Sequence, residues 1–239
     1  MSKRITKTDK LIQSFGREIT HGIFAAGTAL PTEAELCEKF AVSRNVMREV
    51  IQVLSTKRLI DAPPYRGLLV MPRDQWNYLD ADVLEWALEK DDDPLLIHSL
   101  IEVRSAIEPF ISRWAAERAT AVDLVVMEEA LNQMKANPDN REVFMEADIR
   151  FHRAVALASH NVVIQQLSDA ISALQRAIFD HTYLDDVKHM VLTIKEHSDL
   201  FDAIRLKNPI EAEAQATGMI ERTASRAKTK LVLQEQENN

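Results

Sequence analysis

Apolar side chains recur at helical spacing along most of this chain. Leu11, Ile12, Phe15 and Ile19 follow one another at steps of 1, 3 and 4, a stripe on one face of a helix over residues 8–21. Gly22 and Gly27 bracket a loop after it. Thr32-Glu33-Ala34-Glu35 has the spacing of a capping box, which predicts a short second helix running to about Phe40. Ala41-Val42 leaves room only for a tight connection, and Ser43 can cap a third helix. There Met47, Val50, Ile51 and Leu54 fall at i, i+3, i+4 and i+7 and face inward. Leu59–Ala62 and Leu68–Val70 read as short strands around Pro63-Pro64-Tyr65-Arg66-Gly67. From about Trp76 the helical pattern returns, and about seven helices with no strand are predicted between Asp80 and Gln234. Asp93-Pro94, Thr120-x-x-Asp123 and Asn208-Pro209 are start signals, two of them with proline at the first helical position.

The fold class is therefore mainly α: a winged helix-turn-helix head followed by an all-α helical bundle. The expected division is a head over residues 1–72, a linker over 73–79 and a body over 80–239. On the third helix Asn45, Arg48 and Gln52 point away from the inward stripe, with Arg44 beside them. Arginines and amides near a helix N-terminus are the groups that reach guanine and adenine edges in the major groove. A small helical domain with a solvated polar face would show the same pattern.

Charge sharpens this contrast. The chain of 239 residues carries a net charge of −8, which excludes a uniformly basic coat for nucleic acid. Residues 1–72 nevertheless hold 11 Lys/Arg against 7 Asp/Glu, a net of +4, and the remainder is −12. A basic head can approach a polyanion that an acidic body would repel. The single cysteine, Cys37, excludes an intramolecular disulfide and suits a reducing cytoplasm, and on the second helix it reads as a small apolar filler. No apolar run reaches the roughly 18 residues of a membrane span, and the polar start, Met1 to Lys10, lacks the core of a signal peptide. A cytoplasmic protein without a membrane partner is expected.

In the body, polar residues interrupt apolar stripes at three places. Asp148 is centred in the stripe of Phe144, Phe151 and Val155, with His152 one turn on. His197 extends the stripe of Leu200, Phe201 and Ile204. Arg104 sits among Ile97, Leu100, Ile101, Ile107 and Ile111, with Glu108 one turn on. Charges in a core need partners. Arg104 can pair with Glu108 or Asp148 while the histidines hydrogen-bond internally. Alternatively Asp148, His152 and His197 ligate a divalent ion, zinc first, with nickel or manganese also suited to nitrogen and oxygen donors. The guanidinium would then clamp a carboxylate ligand.

The run Gly27-Thr28-Ala29-Leu30-Pro31-Thr32-Glu33-Ala34-Glu35-Leu36, then Val42-Ser43-Arg44-Asn45-Val46-Met47-Arg48-Glu49-Val50, resembles the head of the GntR family of bacterial transcription factors. The resemblance implies contacts to double-stranded operator DNA from Thr32, Ser43, Arg44, Asn45 and Arg48, and from Arg66 and Gly67 in the wing. One departure is Ala34, where the family often has a DNA-contacting arginine. The body resembles the FCD-type ligand domain of the FadR branch, in Glu102-Val103-Arg104-x-x-x-Glu108, Asp148-x-x-Phe151-His152, Ser159-His160-Asn161 and Glu196-His197. That resemblance implies metal ligation by Asp148, His152 and His197 and an effector carboxylate on Arg104. A family histidine expected three residues after a methionine falls on Arg222, a second candidate anion clamp.

The runs Arg73–Asp80, Arg113–Thr120 and Asn161–Gln175 are similar to members that respond to D-galactonate. They imply a homodimeric repressor of a sugar-acid catabolic operon, released when an aldonate binds the body. The same architecture would serve an activator or another hydroxy acid. A helical metal-dependent enzyme would leave the winged head unexplained. His98, His160, His181 and His189 read as surface or helix-end residues, though His181 and Tyr183 adjoin the proposed cavity and could touch sugar hydroxyls.

Overall fold

The computed structural model describes residues 6–63, 67–89, 94–182 and 187–237, the side chains of 180–182, 187–188 and 228–237 excepted. The chain divides into two compact units, residues 1–91 and 92–239. The first holds α1 (Lys7–Thr20), α2 (Glu33–Phe40), α3 (Arg44–Thr56), β1 (Ile60–Asp61), β2 (Leu69–Val70) and α4 (Ala81–Glu89). The second holds α5 (Pro94–Arg118), α6 (Ala121–Ala136), α7 (Arg141–Ala158), α8 (Val162–Thr182), α9 (Val187–Arg205) and α10 (Pro209–Glu237). Mainly helical architecture with a winged first unit agrees with the sequence pattern.

In the first unit each helix starts where a side chain can satisfy its free N–H groups. Thr32 caps α2, and Glu35 closes the box back onto Thr32 N at 2.8 Å. Ser43 Oγ accepts from Val46 N at the start of α3. Ala41 ends α2 in the left-handed region at φ 52°, which makes the tight turn between the two helices. Phe15, Leu36, Met47, Val50 and Leu54 are fully buried around this turn. The strands pair antiparallel, Ile60 with Val70 and Asp61 with Leu69, and are shorter than predicted. Ala29 bridges Leu69 on the other edge, so the segment before α2 joins the wing.

The division expected at residue 72 differs from the observed one. Residues 73–79 do not form a free linker: Trp76 is buried, and its indole Nε1 donates to Met71 O at 2.8 Å. Helix α4 belongs to the first unit. Its Trp86 is fully buried against α1, over Gly16, and donates Nε1–H to Gln13 Oε1 at 2.9 Å. Lys57, at the end of α3, holds Asp80 at 2.7 Å and Asp82 at 2.7 Å just before and within α4. Burial pulls the Lys57 ammonium down, but its hydrogen bonds to Asp80 and Asp82 outweigh that and leave it raised.

In the second unit α7 packs against α6 and α8, and α5 runs along α10. Ile111, Met127, Leu131, Phe151, Val155, Leu200 and Ile204 form its main core. The predicted Thr120–Asp123 capping box starts α6, and Pro94 and Pro209 open α5 and α10. No helix among the described residues is long and apolar enough to cross a membrane.

Candidate functional site

Helix α3 presents Arg44, Asn45, Arg48 and Gln52 as an exposed face opposite its buried stripe. These are the side chains the pattern assigned to base edges. Arg48 does not stand free: its Nε meets both carboxylate oxygens of Glu33 on α2, at 3.0 and 3.2 Å. Both partners remain solvated, with 67% of the Arg48 side chain exposed, so the pair is weak and can open. Thr32 and Ser43 are exposed N-caps, and helix N-termini of this kind favour phosphate oxygens. Gly67 adopts φ +78°, a backbone conformation that side-chain-bearing residues rarely take. Arg66 lies outside the described residues. Cys37 packs half-buried against the head core, as a small apolar filler does.

The second unit contains a cavity of about 70 Å³, room for several waters. Five elements bring its chemistry together: Arg104 from α5, Asp148 and His152 from α7, Gln175 from α8, His197 from α9, and Met219, Thr223 and Arg226 from α10. Asp148 and His152 share a face because they are one helical turn apart. The His197 Nε2 lies 2.9 Å from Asp148 Oδ1 and 3.2 Å from His152 Nε2. Its Nδ1 lies 2.8 Å from Thr193 O, which can only accept, so Nδ1 carries a proton and Nε2 faces the cluster.

One donor atom from each of Asp148, His152 and His197 lies within 4.8 Å of the others. Ligands about 2.0–2.1 Å from a tetrahedral zinc lie roughly 3.4 Å apart, so these separations suit one cation. The tautomer fits as well, because a backbone carbonyl on Nδ1 is the support a ligating histidine commonly has. Without a cation the cluster must share a proton. Burial holds His152 down to about 4, against partial opposition from Asp148 and Glu108. Burial also pulls on His197, but the Asp148 charge and hydrogen bond carry it above its ordinary value. Asp148 is lowered, burial opposing and the His197 charge prevailing.

Arg104 is buried and paired. Its Nε donates to Glu108 Oε1 at 2.6 Å and its Nη2 to Oε2 at 3.2 Å. Burial opposes both charges, and their mutual attraction wins, raising Arg104 and lowering Glu108. Of the two partners the sequence left open, the structure selects Glu108.

Residues 7–70 match the bacterial regulatory proteins of the gntR family, and residues 99–222 match the FCD domain. The galactonate operon transcriptional repressor of Escherichia coli (strain K12) is 54% identical over 224 residues, 94% of this chain and 98% of that protein. The chain belongs to the GntR family of bacterial regulatory proteins. The Uxu operon regulator of Haemophilus influenzae is 28% identical over 89% of this chain and 77% of its own. Among solved structures, Lar, which controls expression of the Listeria monocytogenes agr system, is similar in fold alone. It has a TM-score of 0.67 at 16% identity, with 95% and 99% of the two chains covered.

A GntR regulator with an FCD body is a DNA-binding transcriptional regulator and not an enzyme. Its expected effector residues are only partly gathered at the cavity. Arg104 lines it, but Arg222 does not: the α10 residues on the lining are spaced 4 and 3 apart, at 219, 223 and 226, and Arg222 falls off that stripe. It pairs instead with the buried carboxylate of Glu196. The side chain of His181 and all of Tyr183 lie outside the described residues. His189, read from the sequence as a surface or helix-end residue, lines the cavity. His98 and His160 are surface groups beside Glu102 and Asp123. The sequence reading also missed Gln175, Glu196, Thr223 and Arg226. For Thr223 and Arg226 the spacing on α10 carried a signal, since Met219, Thr223 and Arg226 form one face; Gln175 on α8 and Glu196 on α9 had none of that kind.

Proposed function

We propose that this chain represses a galactonate catabolic operon in the cytoplasm and leaves its operator when D-galactonate or a related aldonate occupies the second unit. The observation that carries the reading is the polar, cation-bearing cavity inside a body whose relative at 54% identity is a galactonate operon repressor. Arg44, Asn45 and Arg48 read base edges, while Thr32, Ser43, Arg66 and Gly67 meet the backbone of the DNA. The protein works as a homodimer whose two heads take the two halves of a palindrome. The outward face of α5 supports this, because Val103 and Phe110 lie two turns apart and stay 45% and 48% exposed.

Asp148, His152 and His197 hold a divalent cation, zinc by preference. When bound, that ion would supply a Lewis-acidic centre for the hydroxyl oxygens of a ligand. The chain's own groups then orient the acid, with Arg104 in the wall. An effector lowers DNA affinity only by binding the released arrangement better than the bound one.

The test is fluorescence anisotropy of DNA from the gene's own upstream region, at fixed salt. D-Galactonate, D-gluconate and galactonolactone are titrated with and without chelator. Release by galactonate at the lowest concentration supports the reading, and loss of that release in chelator supports the metal. Tight DNA binding that no sugar acid disturbs overturns the account of the second unit.

A further inference from the structure

The acids at this cavity are already paired. Glu108 is held by Arg104 through two hydrogen bonds, at 2.6 and 3.2 Å. Asp148 is held by His197 at 2.9 Å, and Glu196 by Arg222. Arg226 is the remaining cation on the lining, and among the described residues it makes no hydrogen bond and no ion pair. It is half-buried, and burial pulls its guanidinium down while the Glu196 charge only partly compensates.

A second group on the lining also lacks a partner among the described residues. Gln175 is 3% exposed, and among the described residues its buried Oε1 has no donor. The Gln175 Nε2 faces Glu108 Oε1 at 3.5 Å; the carboxylate can only accept, so the amide oxygen is the orphan. Leaving a buried acceptor unmet costs about 1–3 kcal/mol, and a ligand hydroxyl would relieve it.

We infer that Arg226, not Arg104, takes the carboxylate of the sugar acid, and that Gln175 accepts a hydrogen bond from one of its hydroxyls. This rests on the proposed effector reading and reassigns the anion within it. Arg104 is a poor carboxylate site, because the charge of Glu108 beside it opposes a second anion. Its N–H groups beyond the Glu108 fork remain able to donate to neutral hydroxyls. Arg226 has no competing carboxylate bonded to it, so an entering anion is the first to claim its fork.

The experiment is calorimetric titration of the full chain with D-galactonate and with its uncharged counterpart, D-galactonamide. Wild type is expected to prefer the acid by about 10- to 100-fold, the range of a charge-assisted pair. Arg226→Gln abolishes that preference by weakening the acid alone, and Arg226→Lys restores much of it. Arg104→Gln keeps the preference. Gln175→Leu weakens acid and amide alike, since both carry the hydroxyls. Thermal melting of each variant shows that it is folded at the titration temperature. A preference that survives in Arg226→Gln, or one that vanishes in Arg104→Gln, overturns the assignment while leaving galactonate as effector. Failure of wild type to bind galactonate overturns both.

Discussion

Gly16 on α1 lies directly against the indole of Trp86 on α4, so closely that a Cβ at residue 16 would overlap the ring. Glycine in a helix interior usually costs stability relative to alanine, by about 1 kcal/mol. Here the missing side chain is what lets the two helices meet. Gly16→Ala is therefore expected to destabilise the protein, by about 1–3 kcal/mol, the range for an overfilled core. Urea unfolding followed by tryptophan fluorescence measures it. A gain in stability, as an open helix position would give, is the contrary result.

Arg48 and Glu33 make a second prediction. Glu33 holds the Arg48 guanidinium at 3.0 Å, and under the proposed DNA contact it would compete with DNA for that group. Arg48→Ala is expected to weaken operator binding by about 1–3 kcal/mol. Glu33→Gln acts the other way and strengthens it a few-fold, because it removes both the competitor and a charge that repels phosphate. Anisotropy at one fixed salt concentration reads both, and a Glu33→Gln variant that binds more weakly would place Glu33 in the contact itself.

Acid and base both lower stability in chelator-treated protein, each through a different histidine. His152 is depressed from 6.5 to about 4 by burial, so the unfolded chain takes up its proton first as pH falls. That contribution is whole above pH 6.5 and lost on the way down to 4. His197 is raised above 6.5 by Asp148, so its contribution is whole below 6.5 and lost as pH rises through the raised value. The curve is expected to peak near pH 6.5, and His152→Asn to flatten its acid limb. Urea midpoints across that range show whether the limb belongs to His152.

Metal should report on the same cluster independently of any sugar. Zinc added to stripped protein is expected to raise its melting temperature. At free metal about 100-fold above its dissociation constant the gain is about 2.7 kcal/mol. His197→Ala and Asp148→Asn remove that gain. Wild-type melting indifferent to zinc, nickel and manganese would sink the metal assignment.

The helices of both units were legible because their signals are local. Ser43 and Thr120 announce their helices within three residues, and Met47 to Leu54 shows its inward face at the helical period. Asp148, His152 and His197 stood out for a related reason, as polar residues inside apolar stripes. The place of α4 was hidden because it depends on Gly16 and Trp86, which are 70 residues apart and signal nothing separately. Arg222 and Arg226 could not be told apart for the same kind of reason. Both are arginines on one helix, and only the folded chain shows Arg222 paired with Glu196 and Arg226 on the cavity lining.

Consecutive residues of α9 reach different helices: Glu196 pairs with Arg222 on α10, and His197 with Asp148 on α7. About 100° of turn separates two neighbouring side chains on a helix. The helix is thus pinned like a crossbar at two points of its circumference. It cannot roll to follow one neighbour without dragging on the other. A ligand that redirects either pair strains the opposite wall of the cavity, so the two halves of the binding site feel each other through one backbone segment.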